Sequence, residues 1–191
     1  MTFGTQGKQN GKFGNMKILV SGNLGYIGPV LIKHFKSLQN APFIAGYDLG
    51  LFSHVNSTKK IISDVKVDLQ YYGDVREVNP NLFEGYDAVV YLADISNDAM
   101  LNKFEEPTLD INYKSAVRWA QHAKAAGVSN FVFASSCSVY GLADDQDRTE
   151  TSKVNPLTAY AKSKVYAENE LAPLADDNFN VTCLRFATAC G

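Results

Sequence analysis

Residues 17–38 constrain the fold more than any other stretch. Lys17-Ile-Leu-Val20 is a short apolar run that meets Gly22-Asn-Leu-Gly25-Tyr-Ile-Gly28, and a helical pattern extends from Tyr26 to Leu38. A strand that turns through glycines into a helix buries itself only if other strands lie beside it and helices cover it. The chain supplies them. Candidate strands are Phe43–Tyr47, Val65–Tyr71, Ala88–Leu92, Phe131–Ala134 and Val181–Phe186. Helical stretches Pro107–Ala126, closed by Gly127, and Thr158–Leu174 separate the last three and are long enough to be crossovers. Ala88-Val-Val-Tyr-Leu92 is apolar at every position instead of at alternate ones, as a strand covered on both faces must be. The expected class is α/β, with a doubly wound parallel sheet.

Composition narrows the partners. The chain has 191 residues, 46% of them hydrophobic, which suits one soluble domain. Its 18 Lys+Arg balance 20 Asp+Glu with no basic run, so neither nucleic acid nor an anionic membrane surface is an expected partner. Cys137, Cys183 and Cys190 are odd in number and show no C-x-x-C spacing, which reads as reduced thiols in a cytoplasmic protein. There is no signal-peptide pattern and no apolar run approaching a membrane span. His34 and His122 fall in helical stretches and His54 in a loop, none with a second ligand at useful spacing, so no metal site is expected. Residues 1–15 carry Gly4, Gly7, Gly11 and Gly14 with only Phe3 and Phe13 to bury, and read as a flexible tail ahead of a domain over 16–191.

The glycine turn carries the first chemical signal. Gly22, Gly25 and Gly28 sit where a strand ends and a helix begins, so the backbone there can approach a pyrophosphate whose charge rests against the helix N-terminus. Tyr26 and Ile27 lie in the same turn and are candidate cofactor contacts with it. A glycine-rich turn without a ligand is the plain alternative. Asp48 follows the second strand, about 20 residues past Gly28, where an acidic residue meets an adenosine ribose. Its carboxylate would accept from ribose hydroxyls and repel a 2′-phosphate, and Leu49, Gly50 and Leu51 offer no compensating cation. NAD is therefore favoured over NADP, although an Asp after a strand is also a common turn residue.

The second signal is Tyr160-Ala-Lys-Ser-Lys164. A spacing of four places phenol and ammonium on one helix face, where the cation favours the phenolate. A tyrosine base near neutral pH needs that help, since its reference pKa is about 10. With 10 tyrosines and 14 lysines, about 0.7 such pairs arise by chance, so the pair alone decides nothing. Phe133-Ala-Ser-Ser-Cys-Ser-Val-Tyr-Gly141 adds support: a buried strand runs into small hydroxyl residues at its C-terminal edge, where ligands of open α/β sheets sit. A serine-rich turn closing a strand is the alternative there.

Taken together, these residues resemble the extended branch of the short-chain dehydrogenase/reductase superfamily, the NAD-dependent epimerase/dehydratase family. The resemblance runs from Met16 to Gly191. It rests on the glycine turn and Asp48, on Gly73-Asp74-Val75-Arg76, similar to the family's G-D-[IV]-R segment, and on Ala88–Ala93, similar to its V-[IV]-H-L-A strand. Ile111-Asn112-Tyr113, Ser136-Cys-Ser-Val-Tyr-Gly141 and Tyr160-x-x-x-Lys164 complete it. The resemblance implies a Rossmann-like fold that binds NAD. It also implies hydride transfer from a carbon of a nucleotide sugar, giving a keto intermediate that is re-reduced or processed further. It assigns Tyr160 as general base or acid, Lys164 as the group that lowers the tyrosine pKa and holds the nicotinamide ribose, and Ser136 as the partner of the reacting oxygen. Asp74 and Val75 would contact adenine, Leu92 and Ala93 would line the cofactor pocket, and Asn112 would support the site from the helix behind it. Cys137, Ser138 and Thr188 join Ser136 as candidate substrate contacts. Homodimer pairing through the Pro107–Ala126 helix and the helix bearing Tyr160 is a further implication.

The sequence departs from the family pattern in three ways. Tyr91 stands where the family has His, and Asp94 where it has a small residue. A carboxylate near a pyrophosphate would repel it, so Asp94 is expected to turn away. Cys137 and Ser138 occupy the places of the Asp-Glu pair used by dehydratases, which leaves an epimerase or simple oxidoreductase. Family members continue beyond Gly191 into a C-terminal substrate domain, expected to be absent here, and an NAD-binding module that does not turn over is the competing reading.

Overall fold

A computed structural model describes residues 2–3, 13–51, 66–96, 105–142 and 147–187. Its strands are β1 (Thr2–Phe3), β2 (Lys17–Ser21), β3 (Phe43–Asp48), β4 (Leu69–Tyr72), β5 (Ala88–Tyr91), β6 (Asn130–Ser136) and β7 (Asn180–Phe186). They form one sheet in the order β1-β7-β6-β5-β2-β3-β4. All pairs are parallel except β1 with β7, where Thr2 lies opposite Thr182. The six parallel strands thus run in the order third, second, first, fourth, fifth, sixth along the sheet, and the winding reverses between β2 and β5. That order is the Rossmann-like doubly wound arrangement, in which ligands bind at the reversal.

The helices are α1 (Gly28–Lys36), α2 (Glu105–Leu109), α3 (Ala116–Ala125) and α4 (Ala159–Leu171). The sequence pattern anticipates each, with shifted ends. Helix α1 opens at Gly28 instead of Tyr26, with Pro29 in its first turn, where a missing N–H costs nothing. The expected helix 107–126 is interrupted by a π turn over Asp110–Ser115. Helix α4 closes through a 3-10 turn, Ala172–Leu174, because Pro173 lacks the N–H to continue it. Strand β4 starts at Leu69, and Val65 lies outside the described residues. Within the stretch read as a tail, Thr2–Phe3 add the edge strand and Phe13–Asn15 form a 3-10 turn.

Both faces of the sheet are buried, as continuous apolar strands require. Ile18, Val20, Ile44, Ala88 and Val90 pack with Ile32 of α1 on one face. Leu19, Ala45, Val89 and Phe131 turn to the other, where Trp119 of α3 is the largest fully buried side chain. Tyr47, Phe83 and Tyr91 meet the Trp119 ring edge-on, with centroids 5.2, 5.1 and 5.5 Å away, and its Nε1 donates to the Val75 carbonyl at 2.9 Å. Burial pushes the Cys183 thiol up to about 12, so it stays protonated at neutral pH. Among the described residues no cluster of His, Cys, Asp and Glu could hold a metal, and no helix is long and apolar enough to cross a membrane. His54 and Cys190 lie outside them.

Candidate functional site

The reversal between β2 and β5 opens a cavity of about 500 Å³ whose lining includes Gly22, Gly25, Asp48, Asp74, Ala93 and Asp94. Its floor exists because Gly22 has no side chain. Gly22 has φ +68°, and a Cβ on it would lie 2.6 Å from the Ala93 nitrogen, so any other residue would force the ends of β2 and β5 apart. Gly28 is excluded from substitution differently: a Cβ there would stand 2.3 Å from the Asn23 carbonyl oxygen, inside the turn. No side chain caps α1, whose first turn carries no acidic residue, so its positive end suits an anionic ligand group.

Asp48, at the end of β3, bonds the glycine turn from below. Oδ2 accepts from the Leu24 N–H at 3.0 Å and Oδ1 from the Gly50 N–H at 2.7 Å, which ties the turn to the strand end. Asp74 caps the turn Val75–Glu77 by accepting from the Arg76 N–H at 2.9 Å, and the Arg76 guanidinium beside it holds its carboxyl below the usual carboxylate range. Val75 closes the cavity behind it. The residues present therefore fit a dinucleotide: a cradle that a Cβ would fill, a helix end without a cap, and a carboxylate one strand away.

The other wall is made of buried polar groups. Tyr91, where the family has His, sends its hydroxyl 2.7 Å to the Ile111 carbonyl inside the π turn. A π turn widens the helix and frees a carbonyl from its usual partner, and here the phenol takes it. Burial raises the Tyr91 pKa well above its ordinary value. Next in that turn, Asn112 is fully buried, accepts from the Ile95 N–H at 2.9 Å and donates to the Ile95 carbonyl at 3.0 Å. Asn112 therefore shapes the cavity through residues 92–96 and does not line it.

Asp94 turns its carboxylate toward α4. Its Oδ1 lies 3.1 Å from Lys164 Nζ, with the lysine side chain 2% exposed and the aspartate 18%. Tyr160 acts on the same carboxylate in the direction that favours its charged form. Lys164 Nζ also donates to the Ala134 carbonyl at 2.8 Å and sits 4.9 Å over the Phe133 ring and 5.3 Å over that of Tyr160. Burial pushes the Asp94 carboxyl up and the Lys164 ammonium down, each opposed by attraction to the other. Thr158 caps α4 through the Ala161 N–H at 3.1 Å and so sets where Tyr160 and Lys164 emerge.

Ser136 ends β6, two residues beyond the Ala134 carbonyl that holds Lys164, and its Oγ accepts from the Ser138 N–H at 3.2 Å. Cys137 is exposed beside it, and the Ser138 hydroxyl is buried among the described atoms without a hydrogen-bond partner. Thr188 lies outside the described residues. Behind this edge Glu168 and Arg185 form a half-buried pair, Nη2 to Oε2 2.6 Å, with Ser135 donating to Glu168 and Arg185 donating to the Tyr140 hydroxyl at 2.9 Å. Sequence reasoning missed that network. Its one signal was Glu168 lying one turn after Lys164, on the same helix face.

Of the candidate cofactor residues, Gly22, Gly25, Asp48, Asp74, Val75, Leu92 and Ala93 line one cavity. Tyr26, Ile27 and Gly28 build the turn beside it. Lys164, which lies over the Tyr160 ring, reaches its rim through Asp94, which the sequence marked only as a charge to be turned away.

A strand order that reverses beside a glycine turn defines the Rossmann-like dinucleotide-binding proteins. Within that class, the model of the NAD dependent epimerase/dehydratase family matches residues 18–191, and the chain belongs to that family. It is 28% identical over 182 residues to the UDP-glucose 4-epimerase of Lactobacillus helveticus, covering 92% of this chain and 52% of that protein. It is 25% identical over 185 residues to UDP-glucose 4-epimerase 2 of Arabidopsis thaliana, covering 91% and 52%. Among solved structures, the UDP-Glc/GlcNAc 4-epimerase of Campylobacter jejuni superimposes with TM-score 0.76 at 25% identity, covering 90% of this chain and 53% of that one. The complex of MoeE5 with UDP-glucuronic acid and NAD superimposes with TM-score 0.72 at 26% identity, covering 88% and 54%. The chain spans about half the length of the curated relatives it matches.

Proposed function

We propose that the protein is an NAD-dependent epimerase or oxidoreductase acting on a nucleotide sugar, with residues 16–191 forming its NAD-binding domain and Thr2–Phe3 of the preceding stretch adding an edge strand to its sheet. One observation carries this reading: Lys164 pairs with Asp94 and sits over the Tyr160 ring at the rim of the cavity built by the glycine turn and Asp48. A module that only bound a dinucleotide would need the floor of that cavity and not the buried pair at its rim. The solved MoeE5 complex, which holds NAD and UDP-glucuronic acid together, supports the cofactor and the substrate class.

In this reading Gly22, Gly25 and the start of α1 hold the pyrophosphate, Asp48 receives the adenosine ribose, and Asp74 and Val75 lie at the adenine. NAD supplies a two-electron acceptor for the substrate carbon. Tyr160 takes the hydroxyl proton of that carbon, the Lys164 cation stabilises the phenolate, and Ser136 donates to the reacting oxygen. Cys137, Ser138 and Thr188 are assigned to the sugar side of the site. Cytoplasmic residence is proposed from the odd number and the spacing of the cysteines in the sequence, and a homodimer from the resemblance.

Calorimetric titration of the chain with NAD and NADP, repeated on Asp48→Ala, tests the cofactor assignment. Micromolar NAD binding is expected, with NADP at least tenfold weaker and the preference relaxed in the variant. Equal affinity for both in the unsubstituted chain would overturn it. Incubation with NAD and UDP-glucose, followed by sugar analysis, tests turnover.

A further inference from the structure

Helix α4 presents a further charged residue on the face that carries Tyr160 and Lys164. Residues 160, 164 and 168 are spaced by four, so Glu168 stands one turn beyond Lys164. Lys164 and Glu168 hold consecutive residues of β6: Lys164 Nζ donates to the Ala134 carbonyl at 2.8 Å, and the Ser135 hydroxyl donates to Glu168 Oε1. The next residue along the strand is Ser136, the donor to the reacting oxygen in the chemistry proposed above. Arg185 of β7 grips Glu168 through a fork, Nε to Oε1 3.0 Å and Nη2 to Oε2 2.6 Å. The other arm of the guanidinium, Nη1, reaches the Tyr140 hydroxyl at 2.9 Å and the Glu150 carbonyl at 3.2 Å. Tyr140 extends the contact by donating to the Thr149 carbonyl at 2.9 Å. One side chain thus joins α4, the end of β6, the 3-10 turn Cys137–Tyr140 and the segment that leads back to α4.

We propose that Arg185 is a positioning residue for Ser136: it locks the turn after Ser136 onto the helix that carries Tyr160, and acts on the substrate only through that serine. The proposal rests on the hydride-transfer reading above. Ser136 Oγ accepts from the Ser138 N–H at 3.2 Å, a bond that uses a lone pair and spares the O–H for donation. That aim lasts only while the turn keeps its place. Within it, the Ser138 carbonyl is held by the Gly141 N–H at 3.1 Å and the Val139 carbonyl by the Asn155 N–H at 2.9 Å.

Stability alone does not account for this arrangement. Desolvation offsets much of the attraction in a half-buried ion pair, so the worth of this one lies in what it aligns. The fork matters more than the charge. A lysine at 185 would keep the positive charge, but without a planar guanidinium it could not grip both carboxylate oxygens and reach Tyr140 as well.

Amide exchange in the full chain, compared with Arg185→Lys, tests the proposal. Exchange at Ser138, Gly141 and Asn155 should quicken by about tenfold or more, while Leu24 and Gly25 keep their rates, because Asp48 and Gly22 hold those amides on another wall. Unchanged protection in the turn overturns the proposal. An equal loss at all of these amides overturns it too, since Arg185 would then be a general stabiliser. If Arg185→Lys does not fold, Tyr140→Phe decides: loss of one hydroxyl from a partly exposed ring should quicken Gly141 and Asn155 by about threefold or more, and no change there overturns the proposal. Turnover of UDP-glucose with NAD adds a readout that a merely stabilising residue would not move. Arg185→Lys should lower kcat by about tenfold or more with KM changed by less than about twofold, and should lower it no further in Ser136→Ala. A loss confined to KM, or one that persists undiminished without Ser136, overturns the proposal. Without turnover the exchange pattern decides alone. Calorimetry separates this from the reading it rests on: absent NAD binding in the unsubstituted chain sinks that reading, while exchange still reports whether Arg185 holds the turn.

Discussion

The two walls of the cavity are built on opposite principles. The β2–β3 wall works by leaving side chains out: Gly22 and Gly28 stand where a Cβ would lie 2.6 and 2.3 Å from backbone atoms, and Asp48 bonds backbone N–H groups. The β5–β6–α4 wall works by burying groups that prefer water, among them Lys164, Asp94, Tyr91 and Asn112. A wall defined by excluded volume holds a shape and fails by steric clash. A wall of buried polar groups holds charge and protons, and fails when one partner is left without the other.

Gly22→Ala should break this contrast most forcefully. The substitution combines an unfavourable left-handed backbone with a collision between β2 and β5, and should cost about 3 kcal/mol or more in urea unfolding. A loss below about 1 kcal/mol would show that the strand ends can part and that the cradle is not fixed by sterics.

On the opposite wall, Lys164→Met keeps the shape and strands the Asp94 carboxylate. Removing one partner of a buried pair should cost about 3 kcal/mol at pH 8. The folded Asp94 pKa is raised by burial, and losing the cation raises it further. Stability tied to a raised carboxyl is present below the unfolded pKa, about 3.9, and is lost as pH rises through the folded value. The deficit of Lys164→Met should therefore shrink on going from pH 8 to pH 5. A deficit independent of pH would mean that Asp94 finds another partner.

Tyr91→Phe sharpens the comparison with the smallest change. It deletes one hydroxyl and leaves the Ile111 carbonyl of the π turn without its donor, at a cost of about 1–2 kcal/mol in the same unfolding measurement. Faster amide exchange at Ile95, which Asn112 holds, would confirm that the π turn supports the loop lining the cavity.

The first wall was nearly complete in the sequence, because excluded volume is written as glycine at a definite spacing and Asp48 follows at a definite distance. Six strands and the helices between them were legible for a similar reason: burial on both faces leaves continuous apolar runs. What stayed hidden were features with no local pattern. The π turn at Asp110–Ser115 is a change of winding inside an otherwise helical run, and the tie between Glu168 and Arg185 joins residues on different elements.

Asp94 shows the limit most plainly. Sequence marked it as a misplaced charge, to be explained by turning aside. Its partner is Lys164, more than 60 residues later in the chain. By itself the sequence determined the fold class, the glycine cradle and the candidate reactive side chains, since each depends on local periodicity, backbone freedom or residue chemistry. Only the tertiary structure decided which buried charges face one another, because the energy of a charge depends on what packs around it and not on where it stands in the chain.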